Sequence, residues 1–165
     1  MNDKKLIFFS GKMGVGKSTL AKKMSHDLNA FCISEDEILS DLFPGEIKNL
    51  DDYVSYSKKI KPMILRLIKN LLKTNNIVIL DFPGNTIIQR QWFKEIIQSS
   101  GAFHKLIYLK ASDAFCLKNI EKRRQYEPNR NKYDTKELYF KLSKFFEEPK
   151  ENEGFNLEII NLIDV

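Results

Sequence analysis

The sequence predicts an α/β fold of three layers, a five-stranded parallel sheet with helices on both faces. Three observations predict it. Short, continuously apolar runs recur along the 165 residues, as strands buried on both faces require. Segments with apolar residues every three or four positions separate those runs, the spacing of amphipathic helices. Two of the runs close on chemistry-bearing residues, a glycine at Gly11 and a carboxylate at Asp81. Open sheets bind their ligands at such carboxyl ends.

Lys5 to Ser10 reads as the first strand, closed by Gly11. Ser18 to Leu28 follows as a helix with Leu20, Ala21, Met24 and Leu28 on one face. Ala30 to Ser34 is a second short strand. Asp36 to Leu42 is a short helix, stopped by Pro44 and Gly45. Asp51 and Asp52 open a long helix along Tyr53, Tyr56, Ile60, Ile64, Leu67, Ile68 and Leu71. Pro62, which lacks a donor, is expected to split or kink it. Ile77 to Leu80 is a third strand ending at Asp81. Asn85 is expected to cap a helix through Ser100, which Gly101 ends. Leu106 to Leu109 is a fourth strand, and Asp113 starts a helix to about Arg124. Gln125 to Tyr133 has no apolar period and reads as a loop. Asp134 and Glu137 have capping-box spacing for a helix to about Phe146, with Asp134 as the cap. Leu157 to Leu162 is a last strand.

The length suits one domain over residues 1–165 with a core of its own. No apolar run approaches the ~20 residues that span a bilayer, and the first residues do not read as a secretory signal. Cys32 and Cys116 sit in apolar surroundings and make no disulfide framework, so two reduced core thiols and a cytoplasmic protein are expected. Of the 27 basic residues only five are arginines: Arg66, Arg90, Arg123, Arg124 and Arg130. Three of these fall between residues 123 and 130, within a stretch, Lys118 to Lys132, that carries six bases and two acids.

Gly11 to Ser18 fits G-x-x-x-x-G-K-[ST] between a strand and a helix. Gly11, Gly14 and Gly16 let the backbone curl so that N–H groups, including those of Met13 and Val15, can meet phosphate oxygens. The new helix aims its positive end at the same charge. Lys17 would reach the outer phosphates, and Ser18 would offer a hydroxyl to Mg²⁺, with Thr19 beside it. Lys12 reads as a solvated loop residue. Asp81, if its strand neighbours the first in the sheet, would complete the Mg²⁺ ligands. Glu35, Asp36 and Glu37 follow the second strand. A helix start favours acids, and one of them could take a hydroxyl proton; Asp36 is favoured. Arg123, Arg124 and Arg130 lie where a closing lid, about residues 118–134, would offset charge on transferring oxygens. Arg90 could face the acceptor.

With those residues the chain resembles the small ATP-binding, kinase-like AAA-domain proteins. These are related to the polynucleotide 5′-hydroxyl kinase domain, zeta toxins and chloramphenicol phosphotransferase. Gly11 to Ser18, Ile33 to Asp36, Val78 to Asp81, His104 to Arg123, Phe145 to Pro149 and Glu153 to Asn156 carry the resemblance over nearly the whole chain. It implies a nucleoside-kinase type of phosphate-loop fold with a helical lid. It also implies ATP and Mg²⁺ as cofactors, Asp36 as general base, Arg123 as the lid arginine, and Pro149 to Asn156 bordering the adenine. Arg124 stands where the family pattern leads one to expect Asn.

The expected activity is transfer of the γ-phosphate of ATP to a hydroxyl of a small molecule, a nucleoside or a polynucleotide end. Helices at about residues 36–74 would wall the acceptor, and Arg124 and Arg130 would contact it. A nucleic-acid end is not favoured, because the twelve Phe fall mostly at core positions rather than on a stacking groove. No membrane partner is expected, and nothing in the sequence fixes an oligomeric state. The alternatives are a nucleoside monophosphate kinase and a nucleotide-binding switch. The former would use arginines around its acceptor, and none occurs from Phe31 to Leu65.

Overall fold

The computed structural model describes residues 4–163, apart from 75 and 131. Its strands are β1 (Lys5–Ser10), β2 (Phe31–Ser34), β3 (Ile77–Asp81), β4 (Phe103–Lys110) and β5 (Leu157–Asn161). They form one sheet in the order β2-β3-β1-β4-β5. Every neighbouring pair is parallel. β1, which leads into the glycine loop, is therefore the central strand, and β3, which ends in Asp81, lies beside it.

Among the described residues six helices cover the sheet: α1 (Lys17–Asp27), α2 (Glu35–Leu42), α3 (Leu50–Lys73), α4 (Ile87–Ser100), α5 (Asp113–Tyr126) and α6 (Lys136–Ser143). Alternate β1 side chains feed two cores, as the strand period demands. Leu6 and Phe8 join Ile60, Ile64, Ile68 and Leu72 of α3 and Phe93 and Ile96 of α4. Ile7 and Phe9 join Ala21 of α1, Cys116 and Ile120 of α5, and Tyr139 of α6. Phe8 stacks on Phe93 with ring centroids 4.4 Å apart, a contact worth ~0.5–1.5 kcal/mol beyond its buried area. No helix among the described residues is long and apolar enough to cross a membrane.

Several expectations need correction. Pro62 does not split α3, which runs through it as one helix. Its buried row at positions 60, 64, 68 and 72 holds it to the sheet against the loss of one backbone bond. Asn85 does not cap α4: Thr86 does, in a capping box with Gln89. Asp134 does not cap α6, because Thr135 takes that place. Both side chains are engaged in the site instead. α6 ends at Ser143, short of the expected Phe146. The stretch read as loop holds a 3-10 turn, Pro128–Arg130. Of the two free thiols, Cys116 is buried, but Cys32 is exposed because β2 is an edge strand.

Candidate active site

The glycine loop is clamped from one side. An added Cβ on Gly14 would lie 2.6 Å from Ile120 Cγ1 and 2.7 Å from the Cys116 carbonyl, at a φ of +78°. Only glycine allows α5 to approach so closely. The Asn119 amide then donates to the Gly14 carbonyl at 3.0 Å. Val15 is buried and Met13 packs against the same core, so what these two can offer a phosphate is backbone N–H. α1 opens at Gly16 with no side-chain cap, which leaves its first N–H groups for an anion.

Lys17 Nζ donates to the carbonyl oxygens of Gly11 and Lys12. Burial pulls its pKa down to about 8, against the opposing pull of the Asp81 and Asp36 carboxylates. A bound phosphate would restore the charged form. Nucleotide binding between pH 8 and 9 is therefore expected to take up a proton, and affinity to fall as pH rises through that window. Calorimetry in buffers of different ionisation enthalpy would read the uptake, and Lys17→Met should remove it. Lys12 is not simply solvated, since its Nζ pairs with Asp113 at 2.7 Å.

Asp81 ends β3 level with Ser34 of β2. Burial pushes its carboxyl up, and a hydrogen bond from Ser18 holds it down. A hydroxyl and a carboxylate side by side are hard oxygen donors, the kind Mg²⁺ takes when phosphates and water supply the remaining ligands. The donor set fits that ion. Among the described residues no cluster of three His, Cys, Asp or Glu side chains could hold a metal, so a cation beside this pair would take the rest of its ligands from phosphate and water. Thr19 is exposed at the start of α1.

Ser34 both ends β2 and caps α2, accepting from the Glu37 N–H. The strand thus turns directly into a helix whose first turn carries three acids at the sheet's carboxyl edge, where the helix dipole favours them. The three have different surroundings. Asp36 and Glu37 line a cavity of about 450 Å³ with Ser40, Asp41 and Arg130. Glu35 is 1% exposed. Its Oε1 accepts from the Ser57 hydroxyl at 2.5 Å, and its Oε2 lies 2.7 Å from the Tyr53 hydroxyl. That hydroxyl lies 2.9 Å from Asp36 Oδ1.

Behind Arg130, the side chain of Asp134 is 0% exposed. Both its oxygens accept from Arg123, each at 2.6 Å, and Arg130 Nε lies 3.3 Å away. One carboxylate thus organises two of the three lid arginines. Asp134→Asn should cost ~1–3 kcal/mol in urea unfolding. It should also speed proteolysis within residues 118–134. The cost is capped because Arg123 and Arg130 are about a third exposed and can return to water. Arg124, expected at the acceptor, pairs instead with Glu121 on the outer side of α5.

Arg90 is also corrected. It does not face the acceptor: its side chain is 1% exposed and doubly bonded to Glu153, at 2.7 and 2.8 Å. Its Nη1 donates to the carbonyls of Gly84 and Glu147. The segment between α6 and β5, which includes the buried Pro149, is fastened this way. Glu147 N–H also donates to the Asn85 carbonyl at 2.8 Å, and the Asn85 side chain accepts from Gly11 N–H at 3.0 Å. The segment expected to border a base is thus tied to the phosphate loop through one asparagine.

The AAA-domain family matches residues 6–147. The chain belongs to that family. No curated protein matches the sequence. Among solved structures the AAA-domain chain resembles a provisionally named kinase from Chloroflexus aurantiacus. The TM-score is 0.71 at 17% identity, over 98% of this chain and 86% of that one. It also resembles Kti12 of Chaetomium thermophilum in complex with ADP-AlF3, with TM-score 0.67, 17% identity and coverage of 95% and 88%. A third likeness is to the Mycobacterium tuberculosis APS kinase CysC with AMPPNP and APS, with TM-score 0.63, 14% identity and coverage of 96% and 88%. At such identities the likeness is one of fold, the phosphate-loop kinase fold.

Sequence reasoning missed Tyr53, Asn85 and Asp134 as site residues, and it set Glu35 behind Asp36 without separating the buried acid from the exposed one. Tyr53 and Ser57 stand four apart on α3, one turn of a single face. That polar pair within an apolar stripe was the available signal for a buried partner.

Proposed function

We propose that this protein transfers the γ-phosphate of ATP to a hydroxyl acceptor. The observation that carries this reading is the placement of Asp36. Its carboxylate acts electrostatically on both Lys17 and Asp81, and it lines an open cavity of about 450 Å³ with Glu37, Ser40, Asp41 and Arg130. A phosphate held by Lys17 would therefore be within reach of the same carboxylate's field.

In this reading the loop N–H groups, the start of α1 and Lys17 bind and orient the triphosphate. Mg²⁺, held by Ser18 and Asp81, would neutralise charge on the phosphate oxygens when bound. Asp36 accepts the proton as the acceptor oxygen forms its bond to the γ-phosphorus and the bond to the β-phosphate oxygen breaks, leaving ADP. Arg123 and Arg130, fixed by Asp134, cover the site and exclude water. Pro149 and the segment around it would border the adenine.

A phosphate acceptor is disfavoured. The cavity offers one arginine against the carboxylates of Asp36, Glu37 and Asp41, which would repel a second phosphate.

The experiment is transfer of labelled γ-phosphate from ATP with Mg²⁺ across a panel of acceptors. The panel holds 5′-hydroxyl oligonucleotides, nucleosides, nucleoside monophosphates, sugars and hydroxylated antibiotics, with Lys17→Ala beside the wild type. Labelling of a hydroxyl compound, lost in Lys17→Ala, bears the proposal out. Labelling of nucleoside monophosphates alone overturns the hydroxyl acceptor. Tight ATP binding with no labelled acceptor would favour a nucleotide-dependent switch.

A further inference from the structure

We propose that Tyr53 is a positioning residue for the Asp36 carboxylate, and that Glu35 carries a proton which it donates to Tyr53. The first half rests on the reading of Asp36 as acceptor base; the second stands without it.

The argument is a count of protons. The Tyr53 hydroxyl has one hydrogen, yet carboxylate oxygens lie on either side of it: Glu35 Oε2 at 2.7 Å and Asp36 Oδ1 at 2.9 Å. Were both acids ionised, that one hydrogen would have to be shared between two carboxylates of like charge, a weaker three-centre arrangement. Ser57 cannot supply a second, because its hydrogen is directed to Glu35 Oε1. A proton on Glu35 Oε2 resolves the count. It bonds to the Tyr53 oxygen, and the Tyr53 hydrogen then bonds to Asp36 Oδ1.

The surroundings favour that state. Glu35 is 1% exposed and in no ion pair among the described residues. The cation that acts on it is Lys61 of α3, itself desolvated and with its nitrogen 5.1 Å from the Trp92 ring. Burial is the largest influence on the Glu35 carboxyl and pushes it up, against the Ser57 and Tyr53 hydrogen bonds that hold it down; Asp36, next in the chain, adds a smaller upward push. Asp36 faces Lys17 of α1 and Asp81 of β3 as well. The two neighbouring acids then carry a single negative charge, on the exposed Asp36 rather than the buried Glu35. Donation from Tyr53 fixes the rotation of that carboxylate and occupies Oδ1, leaving Oδ2 for the acceptor hydroxyl.

Three variants test this. Tyr53→Phe keeps the ring and removes the hydroxyl. Turnover should fall about ten-fold or more with the KM for ATP unchanged. Glu35→Ala should lose turnover similarly. Glu35→Gln, whose amide can donate to Tyr53 while its carbonyl accepts from Ser57, should restore it.

Carbon-13 NMR of the carboxyl groups, on the unliganded protein, reads the same chemistry without any acceptor. At neutral pH the Glu35 signal should have the protonated shift, with Glu35→Gln giving its assignment. An ionised Glu35 at neutral pH overturns the inference even where no phosphoryl acceptor has been found, and unchanged turnover in Tyr53→Phe overturns the positioning role. A Glu35→Gln variant as impaired as Glu35→Ala also overturns it.

Discussion

Arg90→Met is expected to lower the free energy of unfolding by ~3–5 kcal/mol, the loss usual when one partner of a buried ion pair is removed. The reason lies in what is left behind. The Glu153 carboxylate, 11% exposed, loses both its hydrogen bonds to the guanidinium. The carbonyls of Gly84 and Glu147 each lose a donor. Methionine fills much of the volume, so the change is chiefly electrostatic. Glu153 feels two opposed effects: burial pushes its carboxyl up, while Arg90 and the Lys150 N–H pull it down, and the net position is below the usual range. Its stabilisation is therefore present above the unfolded carboxyl range and lost as pH falls through the lowered one. Removing the charge as well, in Arg90→Met with Glu153→Gln, should recover part of the loss. Urea unfolding of the two variants measures both. A cost below about 1 kcal/mol for Arg90→Met would mean that this pair does not hold the segment between α6 and β5.

Asp36→Asn is expected to reduce turnover ~10²–10⁴-fold, the usual contribution of a positioned general base. Nucleotide affinity should change little. The substitution is a narrow one, since asparagine can still accept from Tyr53 through its amide oxygen. What it loses is the capacity to take a proton. Lys17→Ala should show the opposite pattern, with nucleotide binding lost first. Single-turnover kinetics alongside nucleotide titration separates the two. Retained turnover in Asp36→Asn would move the proton-accepting role elsewhere, and Glu37, on the same cavity, would be the next carboxylate to replace.

The sheet and the phosphate loop were legible because their signals are local. An apolar run, a glycine pattern and a helical period each lie within about ten residues. The acid on β3 was legible too, since a charge at the end of a buried run needs a reason. The errors share a different cause. Asn85 and Asp134 have the side chains of helix caps, and each stands directly before the residue that caps. Thr86 and Thr135 took those places, which freed Asn85 for Gly11 and Asp134 for Arg123. Arg90 read as a solvated or acceptor-facing cation because Glu153 lies 63 positions away in sequence. Local composition carries no trace of such a pairing. Glu35, Asp36 and Glu37 are alike as a string, and only the packing of α3 over α2 separates the buried acid from the two on the cavity.

The place of β1 in the sheet has a consequence for the making of the protein. β1 leaves the ribosome before the other four described strands, yet its neighbours are β3 and β4, which begin at Ile77 and Phe103. At synthesis rates of ~5–20 residues per second, its two hydrogen-bonding edges wait roughly 3–20 s for their partners. During that interval Leu6, Ile7, Phe8 and Phe9, all fully buried in the finished fold, are exposed on the nascent chain. That is a window for capture by a chaperone or by another chain. Yield in cells should therefore respond to translation speed between β1 and β3 more than to the stability of the finished molecule.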